Sequence, residues 1–465
     1  MQLGDLLDSV TMDLATSCIE VRRVDIDSRE CEPGTLFFAM PGIHANGTAF
    51  IDDAASHGAV AAVSSVPFAA DIPVVVVPAT QLHALLAHAS ATIVGRPDDA
   101  LALVGVTGTN GKTSVTSLVA SLARALGWNG ASIGTLTNER TTPASPELFR
   151  SLEATRRTFD ERRSHSIVAL EVSSHALDQG RVEGLQFTVS AFTNLSHDHL
   201  DYHNTMEEYF TVKSRLFTLE HSKRAVIWCD DPYGLRLADM ATLPVTKVHR
   251  ADASDVTESL EGTIFFWRGH LVNTSLVGGY NVDNALMAME ILRSLGANEA
   301  SIAASMADVH SVPGRFEIVR AKGIVVVVDY AHTPAGLQRL LDDVRRLSHG
   351  GRIITVFGCG GDRDRAKRRE MGEVASTSSE ITIVTSDNPR SESPDAIIDS
   401  IIEGTVPTAS VLRMTDRRAA IAEALRLARS GDVVVLAGKG HETTQVIGDT
   451  VLAFDDRVVA RELLE

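Results

Sequence analysis

The sequence predicts an α/β protein of three domains built on parallel sheets. Three observations carry that expectation. The chain has 465 residues, and at roughly 150 residues per domain this leaves room for three cores. Strand-sized apolar runs alternate with helical patterns, and the runs are apolar on both faces, as strands covered on two sides are. Polar, glycine-bearing stretches follow directly after strands, where ligands bind in such sheets. Hydrophobic residues make up 44% and charged residues 22%, ordinary globular usage that excludes a disordered or low-complexity chain.

The first predicted domain spans residues 1–98. Apolar runs at 36–39, 60–63 and 73–77 read as strands, separated by turn clusters such as Pro41-Gly42. A helical pattern over 82–94 closes it, and Gly95-Arg96-Pro97 reads as a linker. The second domain, 99–313, opens with a strand at 101–106 and a glycine-rich loop. A helix follows with Val115, Leu118, Val119, Leu122 and Leu126 on one face and Gly127 as its stop. Further strands are expected at 167–172 and 187–192, and a helix over 206–217. The third domain, 314–465, opens with a strand at 323–329. Strands at 353–357, 381–385 and 433–436 then alternate with helices at 335–347, 366–375 and 419–428. Pro313-Gly314 is the expected hinge between the last two domains.

Lys and Arg number 43 against 60 Asp and Glu, a formal charge of −17. A broad basic surface for nucleic acid or anionic lipid is excluded, so any phosphate must be held by a few local cations and backbone amides. Four cysteines (Cys18, Cys31, Cys229, Cys359) show neither a CxxC pair nor a zinc-like spacing with histidine, and fit a reducing compartment. The start, MQLGDLLDSV, lacks a basic segment and an apolar one. No apolar run approaches the ~18 residues of a membrane span. A soluble, cytoplasmic protein with no membrane or nucleic-acid partner is the expectation.

The stretch TGTNGKT at 107–113 lies between a strand and a helix. Its glycines let backbone N–H groups converge on a phosphate at the helix N-terminus, which points to ATP. Gly108, Thr109, Asn110 and Gly111 would form the cradle. Lys112 would supply charge to the β- and γ-phosphates, and the Thr113 hydroxyl is placed to ligate Mg²⁺. The strict spacing wants glycine at 106, where this chain has Val106, so the loop is a variant. A glycine-rich turn with a solvated lysine is the blander reading. The strand at 167–172 runs into EVSSH, and TNLSHDHLD follows the next one. Glu171 and His199 are residue types that complete a Mg²⁺ shell. Either alone reads equally as a capped turn, and the neighbouring phosphate loop favours the metal. Lys213, by spacing alone, reads as a solvated surface lysine.

These motifs together resemble the Mur ligase family, the ATP-dependent amino-acid-adding enzymes of peptidoglycan synthesis. The resemblance covers nearly the whole chain. It rests on TGTNGKT and TNLSHDHLD, and more narrowly on DSRECEPGTLFFAMPG at 27–42, TTP at 141–143, EVSSHAL at 171–177 and DYH at 201–203. DYAHTP at 329–334, GGDRD at 360–364, DNPR at 387–390 and GKGHE at 438–442 add to it. It implies an N-terminal uridine-nucleotide domain, a central ATPase-like domain on a parallel sheet and a C-terminal Rossmann-like domain that brings an amino acid. It also implies a reaction. ATP phosphorylates the D-glutamate carboxylate of UDP-N-acetylmuramoyl-L-alanyl-D-glutamate, and an amine attacks the acyl phosphate.

Residue by residue, the resemblance implies Glu171 and His199 as magnesium ligands and a carbamylated Lys213 that holds a second Mg²⁺. Ser28, Thr141, Thr142, Ser173, Gln179 and Arg181 would contact the UDP-muramoyl-dipeptide. Asn281, Asn284, Arg315, Asp329 and His332 would close over the nucleotide. Arg363, Asp387, Asn388, Arg390, Gly438 and Glu442 would hold the amine, with meso-diaminopimelate favoured over lysine. A guanidinium grips a second carboxylate bidentately, whereas lysine would leave Arg390 unpaired. Arg390 could instead cap the loop before a helix starting at Pro394. The chain departs from the family at Asn46-Gly47-Thr48, at Asn204 where glycine is usual, and at Cys229. A monomer is expected. The alternatives are the same ligase with lysine or another amine, and a degenerate nucleotide-binding scaffold.

Overall fold

The computed structural model describes residues 1–42, 46–138, 140–321 and 323–464, with the backbone only of Asp201 and Ala321. Its first sheet is β1 (Arg23–Asp25), β2 (Thr35–Ala39), β3 (Ala59–Ser64) and β4 (Val74–Val76), parallel and in that order. β2 is buried along its whole length. Leu36 and Phe38 pack on Leu82 and Leu86 of the helix Ala79–Ile93, while Phe37 and Ala39 face Ile51 and Ala54 on the other side. Burial on both faces is why these strands read as continuous apolar runs.

The second sheet comprises β5 (Ala102–Thr107), β6 (Asn129–Ile133), β7 (Ser166–Glu171), β8 (Val189–Phe192), β9 (Ala225–Trp228) and β10 (Val245–Val248). All its pairs are parallel, in the order β10-β9-β8-β5-β7-β6. β5 therefore lies between β7 and β8, with Val106 level with Glu171 and Ala191. The loops leaving these three strands emerge side by side, so the three polar motifs that follow them meet. An antiparallel meander, β11 (Ala253–Ser259), β12 (Gly262–Trp267) and β13 (His270–Thr274), was not anticipated. Along β12 only Thr263, Phe265 and Trp267 turn inward, a period-two pattern that a search for runs apolar on both faces passes over.

The third sheet contains β14 (Glu317–Ala321), β15 (Ile324–Asp329), β16 (Ile353–Phe357), β17 (Ile381–Val384), β18 (Val411–Arg413) and β19 (Val433–Ala437). The order is β14-β15-β19-β16-β17-β18, parallel except for the unanticipated β14, which pairs antiparallel with β15. Before it, Gly314 has φ +63°, and a Cβ there would lie 2.1 Å from the carbonyl carbon of Gly440. The chain entering the third sheet thus runs in backbone contact with the loop after β19. The helices Gly279–Ser294 and Pro334–Leu347 join the second and third units: Gly279 N–H donates to Asp343 at 2.8 Å and Arg339 pairs with Asp283. Arg346 reaches Glu258 at 2.6 Å. No helix among the described residues is long and apolar enough to cross a membrane.

Candidate active site

The loop between β5 and the helix Lys112–Ala125 needs glycine at two positions. Gly108 has φ +147° and a Cβ there would meet Thr193 Oγ1 at 2.0 Å; Gly111 has φ +87° and would meet Asn284 Oδ1 at 2.8 Å. Val106 is a buried strand residue outside the loop, so the curl does not depend on it. The second motif is the loop's scaffold. Asn194 accepts from Thr109 N–H at 2.9 Å through its carbonyl and from Asn110 N–H at 3.0 Å through Oδ1. Thr193 Oγ1 donates to Asn110 O at 2.6 Å, and Ser196 N–H donates to Thr109 Oγ1 at 3.0 Å.

Lys112 folds back on this loop, its Nζ donating to Gly108 O and Thr109 O at 2.9 Å each. Burial pushes its proton affinity down, against the pull of Glu171 and Asp198. Lys213 overturns the reading of a solvated surface lysine: its residue exposure is 1%. The helix Met206–Ser214 lays Tyr209, Phe210 and Val212 into the core beneath the loop, and Lys213 goes with them. Its Nζ donates to Gly108 O at 3.0 Å and Thr107 Oγ1 at 3.2 Å, and lies 4.8 Å above the Tyr209 ring. Burial, aided by Lys112, drives it well below the ordinary lysine range. It sits behind the loop and lines neither cavity described below.

Glu171, at the end of β7, accepts from Thr113 Oγ1 at 2.9 Å, Thr135 N–H at 2.8 Å and Thr135 Oγ1 at 3.3 Å. Arg315 Nη2 donates to the same Thr113 hydroxyl at 3.3 Å. His199 has φ +55°, and burial lowers its pKa to about 4, so it presents neutral nitrogens. Burial alone would raise the carboxyl of Asp198, yet the surrounding His199, His332, Lys367 and Lys112 hold it below its ordinary value. The Thr113 hydroxyl and the Glu171 carboxylate are the hard oxygen donors that suit Mg²⁺, and an unprotonated His199 adds no repelling charge beside them. Among the described residues no three His, Cys, Asp or Glu side chains form a metal cluster by themselves.

A cavity of about 430 Å³ joins these groups to the third sheet. Thr109 to Thr113, Thr141, Glu171, His199, Arg315 and His332 line one wall, and Arg363, Asp387, Asn388, Arg390, Gly438 and Glu442 the other. Arg390 has φ +51° and donates through Nη1 to Gly361 O at 2.7 Å. It therefore ties a loop and faces the cavity together, and the helix Pro394–Ile402 begins beyond it. A second cavity of about 310 Å³ shares Asn110, Gly111, Arg315 and Tyr330 with the first. It extends to Asn284, Asp329, Asp283 and Trp228. Arg315 stacks on the Tyr330 ring at 4.5 Å, and its buried Nε has no hydrogen-bond partner, which leaves a cationic donor available for a phosphate oxygen.

The remaining candidates fall into three groups. Thr142, Ser173, Gln179 and Arg181 form one hydrogen-bonded set beside Glu171. Thr142 Oγ1 donates to Glu171 O at 2.8 Å, Ser173 N–H to Thr142 Oγ1 at 3.1 Å, and Arg181 to Thr142 O at 2.7 Å and Gln179 Oε1 at 2.6 Å. Ser28 is buried in the first unit and lines neither cavity. Asn281 turns its amide onto Val277 O at 2.8 Å. Asp329 is spent on structure: it accepts from Tyr280 OH, Phe316 N–H and Ala331 N–H, each at 2.8 Å. Burial raises its carboxyl above the usual range.

Two departures have local explanations. Asn204 has φ +56°, a conformation asparagine tolerates better than most side chains, so it replaces the usual glycine. Asn46 accepts from Thr48 N–H at 3.2 Å and caps the short helix Gly47–Phe50. Sequence reasoning passed over Asp198, Tyr330 and Lys367, all lining the first cavity. Each lies inside or just after a quoted motif, so the motif letters were the available signal.

Comparison with known proteins agrees with this geometry. The family model of the Mur ligase catalytic domain matches residues 20–102, that of the middle domain 106–292, and that of the glutamate ligase domain 314–440. A protein of Gloeobacter violaceus named UDP-N-acetylmuramoyl-L-alanyl-D-glutamate–2,6-diaminopimelate ligase is 41% identical over 488 residues, covering 100% of this chain and 98% of its own. One of the same name from Geobacillus kaustophilus is 41% identical, covering 95% and 94%. A solved structure of a ligase of that name has a TM-score of 0.70 and 29% identity over 100% of this chain and 98% of its own. With relatives this similar along its whole length, the chain belongs to the Mur ligase family.

Proposed function

We propose that this chain adds meso-diaminopimelate to UDP-N-acetylmuramoyl-L-alanyl-D-glutamate at the expense of ATP, in peptidoglycan precursor synthesis. The observation that carries the reading is the shared cavity. The phosphate loop, Glu171 and His199 face Asn388, Arg390 and Glu442 across it, so a phosphorylated carboxylate and an attacking amine can meet there. The helix N-terminus and Lys112 cradle the ATP phosphates, and Arg315 adds a guanidinium from the third unit. The γ-phosphoryl passes to the D-glutamate carboxylate, leaving ADP and an acyl phosphate. The amine then attacks the acyl carbon and phosphate leaves.

Thr113, Glu171 and His199 would hold Mg²⁺, which neutralises phosphate charge when bound. Lys213 is the residue for carbamylation: burial lowers its proton affinity, which favours the free amine that CO₂ requires, and the carbamate would be an anion able to hold a second Mg²⁺. Thr141, Thr142, Ser173, Gln179, Arg181 and Ser28 would bind the UDP-muramoyl-dipeptide, and Asn284 and His332 would contact the nucleotide, with Asn281 and Asp329 holding the backbone around it. The domain limits are 1–98, 99–313 and 314–465, with Pro313-Gly314 as the hinge. The enzyme acts as a cytoplasmic monomer. Crystals with and without substrates should differ in the angle between the last two domains, and equal angles would remove the hinge.

The test is product formation from the UDP-dipeptide, ATP and Mg²⁺ with meso-diaminopimelate, L-lysine or no amine, read by mass spectrometry and phosphate release. Tripeptide with diaminopimelate alone is expected. Product with lysine instead would keep the ligase and overturn the Arg390 argument. ATP binding without product would move the weight to a scaffold.

A further inference from the structure

Beneath the amine side of the shared cavity lies a lysine that the proposed reaction does not use. Lys439, in the turn after β19, has no exposed surface. Its Nζ donates to Thr444 O at 2.7 Å, Glu442 Oε2 at 3.0 Å and Asn388 Oδ1 at 3.4 Å, and lies 3.7 Å from Asp387 Oδ1. The three donors of an ammonium are thereby all engaged. Asn388 closes the figure, its Nδ2 donating to the same Glu442 Oε2 at 2.7 Å and its Oδ1 accepting from Val446 N–H at 3.0 Å.

This arrangement has two chemical consequences. The first is orientation. With Oδ1 receiving Lys439 and Val446, the Asn388 amide can point only one way, and Glu442 is held by two donors on one oxygen, which leaves Oε1 its acceptor capacity. The second is charge. Asp387, which is buried, and Glu442, which is partly exposed, place two carboxylates in one corner, and Asp387 Oδ1 is a buried atom with no hydrogen-bond partner. A buried cation beside them offsets the mutual repulsion of two carboxylates in the corner that an incoming ammonium group would enter. Without it, the amine would have to order Asn388 and Glu442 for itself on binding.

We propose that Lys439 is a positioning residue of the amine site, acting through Asn388 and Glu442 to set affinity for the diamino acid. The assignment rests on the amine reading of this cavity given above. The test is steady-state kinetics of the full-length enzyme and its Lys439→Met, Glu442→Gln and double variants, with melting temperature measured on each. The KM is taken for whichever amine the wild type turns over. Failure of the diaminopimelate reading then shows in the wild type, and failure of the Lys439 assignment shows in the variants.

Lys439→Met should raise the KM for the amine about tenfold or more, with the KM for ATP and for the UDP-dipeptide within about twofold of wild type. The double variant should be no worse than the worse of the two single variants, because Lys439 acts on the amine through Glu442 and its neighbour Asn388. A lysine that merely stabilised the fold would lower the melting temperature and kcat while leaving all three KM values alone, and that outcome overturns the proposal. So does an additive double variant. Should Lys439→Met not fold, Lys439→Gln is judged by the same KM comparison.

Discussion

The two walls of the shared cavity handle charge in opposite ways. On the phosphate side burial works against the charged forms: Lys112 on the wall and Lys213 behind it are pushed below the ordinary lysine range, and His199 falls to about 4. The lysines there bond only to loop carbonyls and the Thr107 hydroxyl. On the amine wall the ions are already matched. Lys439 sits among Asp387, Asn388 and Glu442, and behind them Arg417 and Asp456 form a fully buried pair at 2.7 Å. A site for a polyanion leaves its cations uncompensated until the ligand arrives, whereas a site for a zwitterion must balance itself beforehand.

That contrast can be broken by substitution. The largest effects are expected at the two lysines of the phosphate side: Lys112→Met, which removes the side chain facing the transferred phosphoryl, should lower kcat by about 10³-fold or more. Binding of the UDP-dipeptide, followed by calorimetry, should be unchanged. Lys213→Ala should abolish turnover in the same assay, with a short-chain carboxylic acid restoring part of it; full activity in that variant would take Lys213 out of the mechanism. Arg390→Ala on the opposite wall should cost about 2–5 kcal/mol of diaminopimelate recognition, roughly 30-fold or more in kcat/KM. It should leave phosphoryl transfer chemistry competent at saturating amine.

The smallest effect is on stability. Burial lowers both His332 and His441 to about 4, so between that value and the ordinary 6.5 the unfolded chain binds more protons than the folded one. Stability should therefore be highest above about pH 6.5 and fall as pH drops toward 4. A melting temperature unchanged between about pH 7.5 and pH 5 would contradict the burial of these two rings.

Much of the phosphate wall was legible in the sequence because its logic is local. Strand, loop, Lys112-Thr113 and helix follow one another in the chain, and the glycines mark where the backbone turns left-handed. Lys213 was not legible from spacing, since its burial depends on Thr107 and Gly108, more than a hundred residues earlier. Asn281 and Asp329 stand in recognisable motifs, but their side chains are committed to Val277, Tyr280 and Phe316, which motif letters cannot reveal. The meander of β11 to β13 and the antiparallel β14 escaped because a half-buried strand carries a weaker apolar signal than a fully covered one.

The backbone contact between Gly314 and Gly440 ties the chain that carries Arg315 to the loop that carries Lys439 and Glu442, so any coupling between nucleotide and amine has a direct path. Arg315, the next residue along, reaches the phosphate loop, while Gly440 lies between Lys439 and Glu442. By reciprocity, whatever factor the bound nucleotide contributes to amine affinity, the bound amine returns to the nucleotide.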